Sequence, residues 1–267
     1  MLSERAAMRW DRAGALQRER AEMVRFCREL DESEWRTASR ATGWRVQDVM
    51  AHLSSGCRSM FSPGLLRIMR SKDIERTNDW FVDQRRSWGP LQTFREYERW
   101  SAGVVTLAKA LNHLPADRVH LPLAELGWFP AGLLVGGAMV FDHHTHLRHD
   151  IAPALSRPVP KTDAGRMATV LEWMFAVLGN QLRSDEPDWL TQTIVIELEG
   201  PGGGSRSVSP GAAIAPGEVR GAAATISGLA TDFPEWATRR ACWRDRDVRI
   251  SGDAEYAARF LDWMNVI

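Results

Sequence analysis

The sequence predicts a two-part protein of the α plus α+β class: a four-helix bundle over residues 1–157, then a small α+β unit over 158–267. Three observations carry this reading. Apolar residues recur at helical spacing through most of the first part. The stretch from Ala152-Pro153 to Pro158-Val159-Pro160 has the composition of a linker. Beyond it, short alternating runs appear beside further helical patterns. A length of 267 residues also exceeds the usual single-domain size.

The first helix is expected over 5–30, where Ala6, Trp10, Ala13, Leu16, Ala21, Val24, Phe26 and Leu30 recur among charges. Residues 31–35 read as a short polar connection. Thr42-Gly43-Trp44 precedes a second helix carrying Val46, Val49, Met50, Leu53 and Cys57. Asp48 lies in its first turn, where a carboxylate favours the helix dipole. Residues 61–90 read as irregular, punctuated by Pro63, Asn78-Asp79 and Gly89-Pro90. A third helix is expected over 91–112, a loop with at most a short element over 115–130, and a fourth helix over 131–150. Such helices, joined by loops of unequal length, suggest a bundle.

In the second part, 163–183 reads as a helix. Thr191 to Glu199 alternates like a strand and ends in the turn Gly200-Pro201-Gly202-Gly203-Gly204. Residues 222–227 and 248–251 read as further strands, and 233–242 and 253–266 as helices. The glycine run lacks the Lys-Ser/Thr ending of a phosphate loop, so it reads as a hairpin turn. Among the tryptophans, Trp44, Trp173 and Trp263 fall at natural core positions.

Composition excludes several classes of function. Lys+Arg and Asp+Glu balance at 34 each, so no net field recruits nucleic acid or an anionic membrane. The longest apolar run, Trp128 to Phe141, is broken by Pro130 and glycines and is too short to span a bilayer. Cys27, Cys57 and Cys242 are far apart and odd in number, which argues against a disulfide framework or a cysteine zinc site. The opening segment lacks the apolar core of a signal peptide, and a cytoplasmic location is expected. No Gly-x-Ser-x-Gly nucleophile turn appears.

The chemistry concentrates in Asp142-His143-His144-Thr145-His146-Leu147-Arg148-His149-Asp150. On a helix, Asp142, His146 and His149 share one face at i, i+4 and i+7, while His143, His146 and Asp150 form a second stripe. Two groups four residues apart can grip one ion, and a further ligand must then come from another helix. His52 is the candidate, because a neutral imidazole in the apolar stretch Val49-Met50-Ala51-His52-Leu53 is unfavourable without a partner. The bland alternative is a solvated histidine face and a hydrogen-bonded core histidine.

The run Gly43-Trp44-Arg45-Val46-Gln47-Asp48-Val49-Met50-Ala51-His52-Leu53 resembles a segment of the DinB-like superfamily, and within it the mycothiol-dependent maleylpyruvate isomerase family. Phe141-Asp142 with His146, followed by Asp150-Ile151, resembles that family's fourth-helix motif. Four segments resemble its sterol-carrier-like C-terminal domain: Leu198 to Gly204, Thr225-Ile226-Ser227-Gly228, Asp232-Phe233 with Trp236 and Arg239-Arg240, and Ile250 to Asp253. The resemblance covers nearly the whole chain.

What the resemblance implies is a divalent metal, zinc, held by His52, Asp142 and His146, with mycothiol as thiol cofactor or cosubstrate. Asp142 stands where the isomerases often carry Glu, and one residue is added between His146 and Asp150. His143, His149 and Asp150 are therefore alternative ligands or groups behind the ligands, and His143, His144 or His149 could relay protons. Arg240 matches the family's cofactor-binding arginine, with Arg239 replacing a glycine before it. The thiol would come from outside, since none of the three cysteines has a position that nominates it.

The expected activity is cis–trans isomerisation or S-transfer on a small electrophile, by a monomer or homodimer. The competing expectations are a non-catalytic metal-binding or regulatory protein, and a zinc-dependent hydrolase, which would need no thiol.

Overall fold

The computed structural model describes residues 11–266. Helix α1 (Arg12–Arg28) starts at Asp11, whose carboxylate accepts from the Gly14 N–H at 2.8 Å. Ala6 and Trp10, at the start of the expected first helix, lie outside the described residues. The polar connection forms a short helix, α2 (Glu32–Arg36), closed by a reciprocal cap between Asp31 and Glu34. Helix α3 (Val46–Ser59) follows as expected.

Residues 61–90 are more regular than the sequence suggests. They form α4 (Gly64–Arg70) and α5 (Ile74–Asp83). Both are too short to display a helical period. They are held by a small cluster of their own, Ile68, Ile74 and Phe81 against Leu123 and Leu126. Helix α6 (Pro90–Asn112) packs along α3. The expected loop carries a two-stranded ribbon, β1 (His120–Pro122) and β2 (Trp128–Pro130).

The fourth bundle helix is not uniform. A short α-helix, α7 (Met139–Thr145), sits between two π-helical turns, Leu133–Ala138 and His146–Ile151. The second turn spans the segment from His146 to Asp150, where the resemblance implies an added residue. A helix absorbs an extra residue by widening one turn to i→i+5 bonding, a feature common at functional sites.

Helix α8 (Ala164–Ser184) packs on α1 and α7 and also on the sheet that follows. The sheet comprises β3 (Ile194–Glu199), β4 (Gly204–Ser209), β5 (Ala213–Pro216), β6 (Ala224–Leu229) and β7 (Arg249–Gly252), in the order β5-β4-β3-β6-β7. The β3–β6 pair is parallel and the other pairs antiparallel. Sequence reading placed the 200–204 turn but not β4 and β5, whose Gly/Ser/Ala content hides their alternation. At the turn, Gly202 (φ +70°) presses on α8, where a Cβ would lie 2.4 Å from the Ala168 nitrogen, so no side chain fits.

Helices α9 (Phe233–Ala237) and α10 (Ala254–Trp263) complete the chain. The helix expected over 233–242 stops early. Arg239 adopts a left-handed φ of +57°, and its guanidinium bonds the Asp262, Trp263 and Met264 carbonyls at the end of α10. That left-handed conformation is one that glycine adopts without steric cost.

One apolar core lies inside the bundle around Met50, Leu53, Tyr97, Leu147 and Ile151. A larger one runs from Leu134 and Val140 through α8 to Ile196, Phe233 and Phe260. Trp173 is in the second core at 3% exposure. Trp44 and Trp263, expected in the core, are only half-buried. Among the described residues no helix is long and apolar enough to cross a membrane.

Candidate metal centre

The local sequence sets where each side chain points. Asp48 accepts from the Arg45 N–H at 3.0 Å and so closes the first turn of α3. His52 follows two turns into that helix, on its inner side. Asp142 and His146, four residues apart, emerge together from the fourth helix. Among the described residues, His52, Asp142 and His146 are the one group of three whose potential ligand atoms all lie within 4.8 Å of one another.

His52 Nε2 stands 3.8 Å from Asp142 Oδ2, too far for a hydrogen bond. The His52 and His146 rings meet edge-on with centroids 5.1 Å apart. The donor set suits a divalent ion. Two ligands each about 2.0–2.1 Å from a tetrahedral zinc stand roughly 3.4 Å apart, so the observed spacing needs only small side-chain adjustment.

Protonation states suit it too. Burial pushes the His52 pKa well below its ordinary value, with His146 and Arg240 adding to the effect, so the imidazole is neutral. Burial raises Asp142 to about 6, against the pull of His146 and Arg240. Its side chain keeps 28% of its surface open, so solvent reaches the centre past Asp142.

Behind the ligands, His146 Nδ1 lies 2.7 Å from Asp150 Oδ2. Burial would raise Asp150, but the His146 bond and Arg240 outweigh it and hold this carboxyl below the ordinary range. Asp150 is therefore ionised, the His146 proton sits on Nδ1, and Nε2 is left with its lone pair for a ligand bond. Arg240 crosses from the α9 region to contact both Asp150 oxygens, at 3.2 and 3.3 Å. It keeps 25% of its side chain exposed.

His143 and His149 are not brought into the cluster. His143 Nδ1 bonds the Met139 carbonyl at 2.6 Å, its ring lies beside Tyr97, and burial lowers it to about 4. The turn from His146 onward is π-helical, and His149, whose pKa burial lowers, feels the charges of Glu235, Asp150, Arg240 and Asp232. His144 is fully buried near His149 and, with Arg148 also opposing its charge, titrates well below its ordinary value.

Two features escaped sequence reading. Trp44 is a wall of the centre, its ring 5.1 Å from His52 and 6.4 Å from His146, anchored by its Nε1–H to Asp79 at 2.9 Å. Glu75, also on α5, is raised chiefly by desolvation and interacts with His146 and Arg240. Glu75 and Asp79 lie four apart, a spacing that was available as a signal once α5 is known to be helical.

A helical bundle presenting a buried His/Asp/His triad, joined to a small sheet domain that sends an arginine behind it, defines a class of proteins with a candidate metal centre. Residues 16–152 match the family model described as the mycothiol maleylpyruvate isomerase N-terminal domain. The chain belongs to the mycothiol-dependent maleylpyruvate isomerase family. Two solved structures share its fold: a mycothiol-dependent maleylpyruvate isomerase (TM-score 0.52) and a histidine-to-alanine mutant of that enzyme (TM-score 0.51). Each is 15% identical in sequence, over 90% of this chain and 91% of the other. A comparison with curated proteins gave no significant match.

Proposed function

We propose that this protein is a metal- and thiol-dependent enzyme that performs cis–trans isomerisation or S-transfer on a small electrophile, with mycothiol as the thiol. The convergence of the His52, Asp142 and His146 ligand atoms within 4.8 Å is the observation that carries the reading. These three residues would hold a divalent ion, zinc being the natural choice for two imidazoles and one carboxylate. The ion, when bound, supplies Lewis acidity that favours the thiolate form of an incoming thiol at neutral pH.

The chain's own residues do the rest. Asp150 fixes the His146 tautomer and ring plane. Arg240 holds Asp150, and the quarter of its side chain left exposed would contact an anionic group of the thiol. Trp44 closes one side and excludes water from the histidines. Cys27 and Cys57 are buried, and desolvation pushes both thiols up, Cys57 to about 12, so neither supplies a thiolate. Cys242 is exposed but is not part of the cluster at the metal centre, so in this reading the nucleophile is external. We also place the boundary between the metal-binding unit and the C-terminal unit at 157/158, and the protein in the cytoplasm.

Elemental analysis of the purified protein and of His52→Ala, paired with a mycothiol titration, tests this. The expected result is about one equivalent of metal in the natural protein, none in the variant, and mycothiol binding that needs the metal. Full metal occupancy in His52→Ala would sink the ligand assignment. Turnover of an amide substrate in thiol-free buffer would favour a hydrolase instead.

A further inference from the structure

Strand β4 places Gly204, Arg206 and Val208 on one face. The register sets Arg206 opposite Ile196 on β3 and Pro216 on β5, and Val208 opposite Ile194. Ile194, Ile196 and Val208 are fully buried. Directly paired residues share a face, so an arginine occupies the core face of this sheet. An inward charge on an edge strand guards against strand addition. That account fails here, because β4 is paired on both sides.

The guanidinium of Arg206 emerges between α8 and β5, 5.6 Å from the Phe175 ring. Its side chain bonds only the Ser205 carbonyl, at 3.0 Å, and it forms no ion pair among the described residues. The carboxylate that acts on it, Glu172, is already clasped by Arg12 at 2.9 and 2.6 Å. A cavity of about 320 Å3 opens at this point, lined by Phe175, Gly179, Arg183, Arg206, Ile214 and Pro216. Arg183 has no carboxylate partner among the described residues either; its one bond is to the Asn180 side chain.

Gly179 sharpens the case. It lies inside α8, where glycine destabilises a helix relative to alanine. A Cβ there would meet only Arg183 Nη1 at 3.5 Å, Arg183 Nη2 at 3.7 Å and Ile214 Cδ1 at 3.7 Å, all ordinary contacts. Packing therefore does not demand glycine. The missing side chain leaves the cavity floor open between a cation and an apolar wall.

We propose that this cavity is a second binding site, separate from the metal centre, for a small organic carboxylate with an aromatic or branched apolar body. Arg206 and Arg183 hold the carboxylate, and Phe175, Ile214 and Pro216 enclose the body. Burial depresses the Arg206 pKa, the signature of a partly desolvated cation that a bound anion would stabilise.

The test is calorimetric titration of the full chain with sodium benzoate, with benzyl alcohol and inorganic phosphate as comparisons. The same titration on His52→Ala removes coordination at the metal centre as a source of heat. Benzoate should bind saturably to both proteins. Arg206→Met keeps the apolar stem and suits a core-facing position; it should weaken binding by roughly tenfold or more, the loss expected for a charged hydrogen bond. Gly179→Leu, which fills the floor while keeping both arginines in the chain, should abolish it. Any of three results would overturn the proposal: no saturable benzoate binding, affinity unchanged in both Arg206→Met and Gly179→Leu, or benzyl alcohol or phosphate binding as well as benzoate.

Discussion

His146 and Asp150 form a 2.7 Å hydrogen bond inside the widened turn of the fourth helix, and this bond fixes which imidazole nitrogen is free. Four residues span nearly one turn there, so the carboxylate lies directly against the ring. The π-helical turn brings Asp150 into line behind His146.

Asp150→Asn should therefore lower metal affinity without removing a ligand. The amide oxygen can still accept from Nδ1, but the negative charge that strengthens His146 as a donor is gone. Loss of such a partner typically weakens metal binding by about 10–100-fold. Competition against a chromophoric zinc chelator measures this. An unchanged affinity would mean that His146 is not a ligand.

Much of this centre is legible in the sequence, and the reasons are local. The i, i+4 spacing of Asp142 and His146 and the apolar context of His52 needed only helical geometry. The choice among Asp142, His143 and His149 could not be made that way, because it depends on the phase of a helix that switches to π bonding at His146. Trp44 reads as a core residue because tryptophan is a large apolar packing side chain, yet it faces the histidines. Glu75 and Asp79 both lie on α5, in a segment whose Pro63, Asn78-Asp79 and Gly89-Pro90 make it read as irregular. Arg240 reaches Asp150 across 90 residues of chain, a contact that sequence pattern alone does not encode.

Acid should destabilise the metal-free protein. Burial depresses His52, His143 and His144 below their ordinary value of 6.5, His143 to about 4. In the unfolded chain these groups take up protons near 6.5, while in the fold they stay neutral. Their contribution to stability is thus present above 6.5 and lost as pH falls towards 4. Asp142 acts oppositely: its folded pKa of about 6 exceeds the ordinary 3.8, so its contribution is present at low pH and lost as pH rises through 6. His149 is depressed as well, and Glu19 and Glu75 are raised like Asp142, so four depressed histidines stand against three raised carboxyls. Stability should fall by on the order of 1.4 kcal/mol per pH unit for each net proton. Urea unfolding in chelator at pH 7.5, 6.5 and 5.5 follows the trend, and a flat profile would contradict it.

Arg240→Met should separate thiol binding from metal binding. Arg240 touches Asp150 but is not itself a ligand, and Asp150 keeps its bond to His146 without it. Metal content should stay near the natural level, while the apparent affinity for mycothiol falls by roughly tenfold, the effect of losing one charged hydrogen bond. Elemental analysis and a thiol titration on the same sample give both readouts. If metal is lost as well, Arg240 serves mainly to brace Asp150.

Glu19 ties together the three helices behind the centre. It is fully buried on α1, accepts from Arg148 on the fourth helix at 2.8 Å, and faces Arg166 on α8 at 3.5 Å. Burial raises its pKa despite both arginines, so attraction does not fully offset desolvation. Breaking such a pair is nonetheless harmful, because the remaining cation has nowhere to go: Arg148 is only 5% exposed. Glu19→Ala should cost about 3–5 kcal/mol in urea unfolding. The double variant Glu19→Leu with Arg148→Met removes both charges and keeps the volume, and should recover most of that loss. Recovery would show that the network fixes how the helices meet more than how strongly they hold. A double variant as unstable as Glu19→Ala would show instead that the ion pair itself supplies stability that apolar packing cannot replace.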